Sequence, residues 1–258
     1  MPNIDRHEPG AFCWFELGTT DQPAAKTFYS DLFGWTSEDF PMGPSGSYTM
    51  FRLDGRDVGA AYTSGPEQGV HWNIYISVNN ADETAKRAGE LGGSVLMPAF
   101  DVMEAGRMSV ITDPTGATFC IWQPKRHNGV GLSGVDGTVC WADLSTPDTA
   151  EAKTFYERLF HWRIERSGHD DSGYLHIQNG EDFIGGMPPA EHRKAGVPPH
   201  WMLYFLTSDC AATAQSATEM GAKALMPTQE VPHVGTMAIL RDPQGAVFAL
   251  FQPLKAAA

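Results

Sequence analysis

Glu16, His71 and Tyr75 are the side chains of this 258-residue chain whose types can do chemistry together. A carboxylate or an imidazole can serve as general base and a phenol as general acid, provided the fold brings them within hydrogen-bond reach. Asp143, His200 and Tyr204 stand in the same order in the second half, because the chain repeats itself. The stretch CWFELGTTDQPAAKTFYSDLFGW, from Cys13, returns from Cys140 as CWADLSTPDTAEAKTFYERLFHW, with 13 of 23 positions identical and no gap. Downstream, His71-Trp72 matches His200-Trp201, Met97-Pro98 matches Met226-Pro227, Asp113-Pro114 matches Asp242-Pro243, and Gln123-Pro124 matches Gln252-Pro253. A period this long corresponds to a small domain rather than a solenoid unit, so each copy is expected to carry its own core.

The elements that must position these residues follow from local pattern. Phe12 to Thr19 alternates as a strand, and Asp21 then caps a helix with Pro23 in its first turn. Ala25, Phe28, Tyr29, Leu32 and Phe33 fall at helical spacing, and Gly34 suits the left-handed position that closes a helix. Strands are expected over Trp35 to Phe40, Ser47 to Leu53 and Val58 to Thr63. A second unit starts at His71, with a helix from Ala81 to Leu91 and strands near 94–97, 107–112 and 118–122. This βαβββ pattern is written twice in each half. The fold class is therefore α+β, with four βαβββ modules in two domains, 8–126 and 138–255, joined by a Gly-rich linker over 127–137. Residues 100–106 and 229–235 are expected as rim loops that differ between the copies.

Strand alternation places Trp14 and Glu16 on one face of the first strand, opposite Cys13, Phe15 and Leu17. By the same rule His71, Asn73 and Tyr75 share a face, completed by Cys120 and Trp122. The second copy offers Trp141, Asp143, His200, Met202, Tyr204, Ala249 and Phe251. Apolar and aromatic walls with a few convergent polar groups are the composition of an organic-ligand pocket. Each residue also has a plainer reading: a histidine beginning a strand is commonly a hydrogen-bonding surface residue, Glu16 can pair with His71, and Cys120 can be small core filling. The histidines at 161, 169, 176 and 233 have no counterparts in the first half, and His192-Arg193 reads as a surface turn.

Composition excludes more than it selects. A formal charge of −13 disfavours nucleic acid, whose phosphates require a Lys/Arg surplus. No apolar run is long enough for a membrane span and no secretory leader is evident, so cytoplasmic location is the expectation, with no membrane partner. The four cysteines occur without a CxxC pair, against a structural zinc.

Paired βαβββ modules, a first strand running into Thr19-Thr20-Asp21 and on to Tyr29, and an Asp-Pro-x-Gly turn before the last strand resemble the vicinal oxygen chelate superfamily of glyoxalase I, bleomycin-resistance proteins and extradiol dioxygenases. The resemblance covers nearly the whole chain, once per half. It implies a curved mixed sheet forming a cup in each domain, helices outside, and a divalent metal held by His, Gln or Glu from four strands. Matched position by position, those places hold Trp14, Asn73 and Cys120 in the first copy and Trp141, Met202 and Ala249 in the second. The fourth, on the strand 58–62 or 184–187, has only Gly, Ala and apolar residues available. An indole cannot ligate a metal. The expectation is a glyoxalase-like protein without a metal or other cofactor that binds a small organic molecule in an aromatic cup. Trp14, Asn73, Cys120, Trp122, Trp141, Asp143, His200 and Tyr204 are the candidate ligand-binding residues, and Glu16, His71 and Tyr75 the candidate catalytic ones. The alternatives are a metal-dependent glyoxalase-type lyase or dioxygenase, and a structural module whose cups are filled. The second cup, being more apolar, is expected to act as scaffold. Tandem domains resemble a covalent dimer, so a monomer or weak homodimer is expected.

Overall fold

The computed structural model describes residues 3–43, 46–65, 67–166 and 172–254, which leaves position 169 and the expected domain limit at 255 outside. In the first half the elements are Phe12–Thr19 (β1), Gln22–Phe33 (α1), Thr36–Pro41 (β2), Ser47–Leu53 (β3), Arg56–Thr63 (β4), His71–Ser77 (β5), Ala81–Glu90 (α2), Ser94–Val102 (β6), Gly106–Thr112 (β7) and Thr118–Pro124 (β8). The second half repeats them as Val139–Ser145 (β9), Thr149–Phe160 (α3), Arg163–Glu165 (β10), Leu175–Asn179 (β11), Asp182–Met187 (β12), His200–Leu206 (β13), Cys210–Glu219 (α4), Lys223–Val231 (β14), Gly235–Arg241 (β15) and Val247–Pro253 (β16). Each half is one eight-stranded mixed sheet, in the order β2-β3-β4-β1-β5-β8-β7-β6 and β10-β11-β12-β9-β13-β16-β15-β14. Within each module the first and last strands run parallel, and two modules join through an antiparallel pair, β1 with β5 and β9 with β13.

The helices start where side chains satisfy their free N–H groups. Asp21 accepts from the backbone of Ala24, Asn80 from Glu83, Asp148 from Ala150 and Glu151, and Asp209 from Ala212. Gly34 closes α1 at φ 70°, whereas α3 ends on His161 at φ 61°. The rim differs from expectation. β6 and β14 continue to Val102 and Val231, because register shifts after Met97 and Met226 absorb the proline turn and pairing resumes beyond it. Only the short turns before Gly106 and Gly235 remain as loops.

The two halves do not keep separate cores. Their buried apolar residues form a single contact cluster, because the aromatic faces of α1 and α3 reach across to the opposite sheet. Phe33 stacks on Phe205 with ring centroids 4.8 Å apart, Phe28 meets Phe248 at 6.2 Å, and Phe119 meets Tyr156 at 5.5 Å. Two matching polar relays cross the same boundary. Tyr29 donates to Asp242 Oδ2 at 2.9 Å while accepting from Trp72 Nε1 at 3.1 Å, and Tyr156 donates to Asp113 Oδ2 at 3.0 Å while accepting from Trp201 Nε1 at 3.1 Å. The segment between the halves is docked rather than free. Val130 N–H donates to the Cys13 carbonyl at 2.8 Å and Gly131 N–H to that of Asp57 at 2.8 Å, with Val130 and Leu132 buried. Gly129 is required there: at φ 109° a Cβ would lie 2.1 Å from the Cys13 carbonyl oxygen.

Candidate ligand site

With helices on one side of each sheet, the other side forms the cup, and the alternation along β1, β5 and β8 decides what enters it. Trp14, Glu16, His71, Asn73, Tyr75, Cys120 and Trp122 all line the first cup, and Trp141, Asp143, His200, Met202, Tyr204 and Phe251 the second. Ala249 is fully buried and is not part of the lining. Residues of both cups line one continuous cleft of about 2950 Å³.

The floor of the first cup is a carboxylate held by two phenols. Tyr75 donates to Glu16 Oε2 at 2.7 Å, Tyr48 donates to the same carboxyl, and Trp14 Nε1 donates to the Tyr48 hydroxyl at 3.0 Å. Burial pushes the Glu16 carboxyl above its ordinary range, and the two phenol hydrogen bonds oppose that shift. His71 is not part of this set: it lines the cleft at the start of β5, opposite Gly18 of β1, and Glu16 is satisfied by the phenols instead. Asn73 Nδ2 donates to the Tyr62 hydroxyl at 3.3 Å. Cys120 faces Tyr75 across the parallel β5–β8 pair, and burial drives its thiol far up, which keeps it protonated and unreactive. Trp122 is fixed through its Nε1, which donates to the His127 carbonyl at 2.9 Å, and His127 packs edge-on against Trp14 at 4.6 Å.

The second cup rebuilds the same floor with a shorter acid. Asp143 accepts from Tyr204 at 2.8 Å, Tyr174 at 2.5 Å and Trp141 Nε1 at 3.0 Å. Burial again raises its carboxyl against those donors. Tyr48 and Tyr174 are the functional residues that sequence reasoning missed. They are equivalent in the repeat, each beside the start of the third strand of its module, and that equivalence was the available signal. His127, His176, His192, Arg193 and His233 also line the cleft, so the linker and the supposed surface turn contribute walls rather than spacers. The second cup is accordingly more polar than an apolar scaffold.

The donor set does not fit a divalent ion. On β12, a Cβ built on Gly186 would lie 2.0 Å from the Tyr174 hydroxyl, so the space a metal-ligating side chain of that strand would cross is taken by the tyrosine. Among the described residues no group of three or more His, Cys, Asp or Glu side chains is placed to hold a metal. Gly186→Ala is therefore expected to push Tyr174 off Asp143 and cost about 1–3 kcal/mol. Equilibrium urea unfolding measures it, and a cost below about 0.5 kcal/mol would show that the phenol moves without penalty.

An eight-stranded mixed sheet cupped around a buried pocket, built from two βαβββ modules and present twice, defines a tandem glyoxalase-like protein. The sequence profile of the Glyoxalase/Bleomycin resistance protein/Dioxygenase superfamily matches residues 12–121 and again 138–250, and the chain belongs to that family. It is 40% identical over 261 residues to the "Putative glyoxylase CFP32" of Mycobacterium tuberculosis (strain CDC 1551 / Oshkosh), covering 98% of both chains. It is 34% identical over 268 residues to the "Anthracycline biosynthesis protein DnrV" of Streptomyces peucetius, covering 96% of this chain and 95% of that one. Among solved structures, the Mn(II)-bound glyoxalase from Novosphingobium aromaticivorans shares the fold with a TM-score of 0.67 at 13% identity, covering 99% of this chain and 84% of its own. The 2,3-dioxygenase LapB from Pseudomonas sp. KL28 does so at 0.65 and 14%, covering 100% of this chain and 95% of its own. Among the described residues no helix is long and apolar enough to cross a membrane.

Proposed function

We propose that the first cup binds a planar, largely apolar organic molecule without a metal, between Trp14, Trp122 and Tyr75, with the Glu16–Tyr75–Tyr48 floor taking its polar end. The observation that carries this reading is the pair of phenols on Glu16. They occupy the bottom of the cup, where a metal-dependent relative needs ligand side chains, and Trp14 and Trp122 line the cleft beside them. A flat ring stacks on such walls with about 1 kcal/mol per aromatic contact beyond area burial. The anthracycline biosynthesis relative points in the same direction, since an anthracycline is a polycyclic aromatic molecule. Glu16 and Tyr75, 2.7 Å apart, also form a carboxyl–phenol pair suited to exchanging a proton with a bound hydroxyl or carbonyl, which supports a second reading as a metal-free acid–base enzyme on the same ligand class.

The test is titration of the purified chain with 1,4-dihydroxyanthraquinone, followed by quenching of tryptophan fluorescence, alongside elemental analysis. Saturable quenching is expected, weakened at least about fivefold by Glu16→Gln or by Tyr75→Phe, each of which removes a charge-assisted hydrogen bond at the floor. Stoichiometric manganese, nickel, zinc or iron in the purified protein would overturn the metal-free reading. So would turnover of methylglyoxal with a thiol that depends on added nickel or zinc.

A further inference from the structure

Among the described residues, two buried side-chain nitrogens lining the second half of the cleft, His176 Nδ1 and Arg193 Nε, have no hydrogen-bond partner. Leaving such a group dry and unpaired costs about 1–3 kcal/mol, and more for a guanidinium, so orphaned polar nitrogens in a pocket wall mark where ligand atoms belong, and the Arg193 N–H calls for an acceptor. Both side chains are held in place by other contacts. Arg193 Nη2 donates to the Val197 carbonyl at 2.7 Å, and the His176 ring lies edge-on to Tyr174 at 5.0 Å and to Phe183 at 5.6 Å.

The charge that the described residues of the second half contribute to the cleft wall is one-sided. Lys194, His200, His233 and Arg241 also line the second half of the cleft, and among the described residues Asp143 is the only carboxylate that this half contributes to the lining. The oxygens of Asp143 are already occupied by Tyr174, Tyr204 and Trp141. This concentration runs against a chain whose net charge is −13, so it is a local construction. The internal repeat shows where it came from. From Gly59 to His71 the first copy has 12 positions, and from the equivalent Gly185 to His200 the second has 15. The shorter connection carries Glu67 and no basic residue; the longer one carries His192, Arg193 and Lys194 beside Glu191, and those three basic residues line the cleft while Glu191 does not.

We propose that the second cup is a distinct site for a small aromatic carboxylate, with its anionic group on Arg193 and His176 and its ring against Trp141, Met202 and Phe251. Arg193 supplies the planar fork that matches a carboxylate, and the aromatic and methionine wall takes the ring. This site stands independently of what the first cup binds, because none of its residues belongs to the Glu16 floor.

Isothermal titration calorimetry with 2-naphthoate and with its neutral counterpart 2-naphthalenemethanol tests it. The wild type is expected to bind the carboxylate about tenfold tighter than the alcohol, as a charge-assisted pair would give, with the preference shrinking at high salt. Arg193→Gln, on an exposed connection where folding is not at stake, is expected to bring the ratio within about twofold. His176→Phe should reduce it at least threefold or so while keeping the ring packing, and Glu191→Gln should leave it at the wild-type value. Equal affinity for the two probes in the wild type, or an undiminished preference in Arg193→Gln, would overturn the proposal. Circular dichroism of each variant separates loss of the site from loss of the fold.

Discussion

Tyr29→Phe lowers the unfolding free energy by about 2–4 kcal/mol, although it removes one oxygen atom and leaves every ring contact in place. The hydroxyl is the middle of a buried relay, so its loss strands the indole N–H of Trp72 and one oxygen of Asp242 together. The other oxygen of Asp242 cannot compensate, since it accepts from the backbone of Gln244, Gly245 and Ala246 at 3.0, 2.6 and 2.8 Å. Tyr156→Phe strands Trp201 and Asp113 in the same way and costs a similar amount. The two relays share no partner, so the double variant should show the sum, which approaches the whole stability of an ordinary domain of about 5–15 kcal/mol. Guanidinium unfolding of the three variants measures this. Single losses under about 0.5 kcal/mol would mean that water replaces the missing hydroxyl and that the relays do not fasten the halves.

The second large effect is on the pH dependence of stability. Burial raises the carboxyls of Glu16 and Asp143 above their ordinary values of 4.5 and 3.8, against the opposing phenol and indole hydrogen bonds. The folded chain therefore holds protons that the unfolded chain has released. The stability these groups allow is fully present below their ordinary values, and it is lost as the pH rises from there through the raised folded values. The loss can reach about 1.4 kcal/mol per pH unit for each carboxyl within that window. Glu16→Gln and Asp143→Asn cannot ionise, so each should flatten the profile, be more stable than the wild type at neutral pH, and lose that advantage below about pH 4. Thermal melts from pH 3 to 8 follow the difference directly. Parallel curves for wild type and double variant would show that the phenols fully repay the burial of the charge. An acid kept in place at a cost to stability is what a binding or proton-transferring floor requires.

What could be read from the chain alone was what depends on period and order. The repeat, the two-residue alternation of β1 and β5, and the capping residue Asp21 are local signals, and they led to the element order and to Glu16, Tyr75 and Trp14 on a common wall. Residues brought in by long-range packing were not readable. Tyr48 reaches Glu16 from β3, 32 positions away in the chain, and nothing about its immediate neighbours distinguishes it from a strand tyrosine facing solvent. His127 follows β8 in a glycine-rich stretch that has the composition of a tether, yet tertiary hydrogen bonds fasten that stretch to β1 and β4. The shared core was equally hidden, because an apolar helix face has the same spacing whether it covers its own sheet alone or also its neighbour's. Phe28 and Tyr29 do both, meeting Phe248 of the other half.

The crossed relays also account for where the two copies have stayed alike. Phe28, Tyr29, Phe33 and Trp35 lie in the most similar stretch of the repeat, and they and their equivalents Phe155, Tyr156, Phe160 and Trp162 make the contact between halves. The arrangement is isologous about a pseudo-dyad: each copy supplies both the key and the lock, as subunits of a twofold dimer do. A substitution in one key mismatches the opposite lock while leaving the sister contact intact, so drift on this face is penalised in either copy. The concave faces carry no such reciprocal constraint. One polypeptide can thus keep a fixed seam while its two cups diverge, and the basic connection found in only one half is the form that freedom has taken.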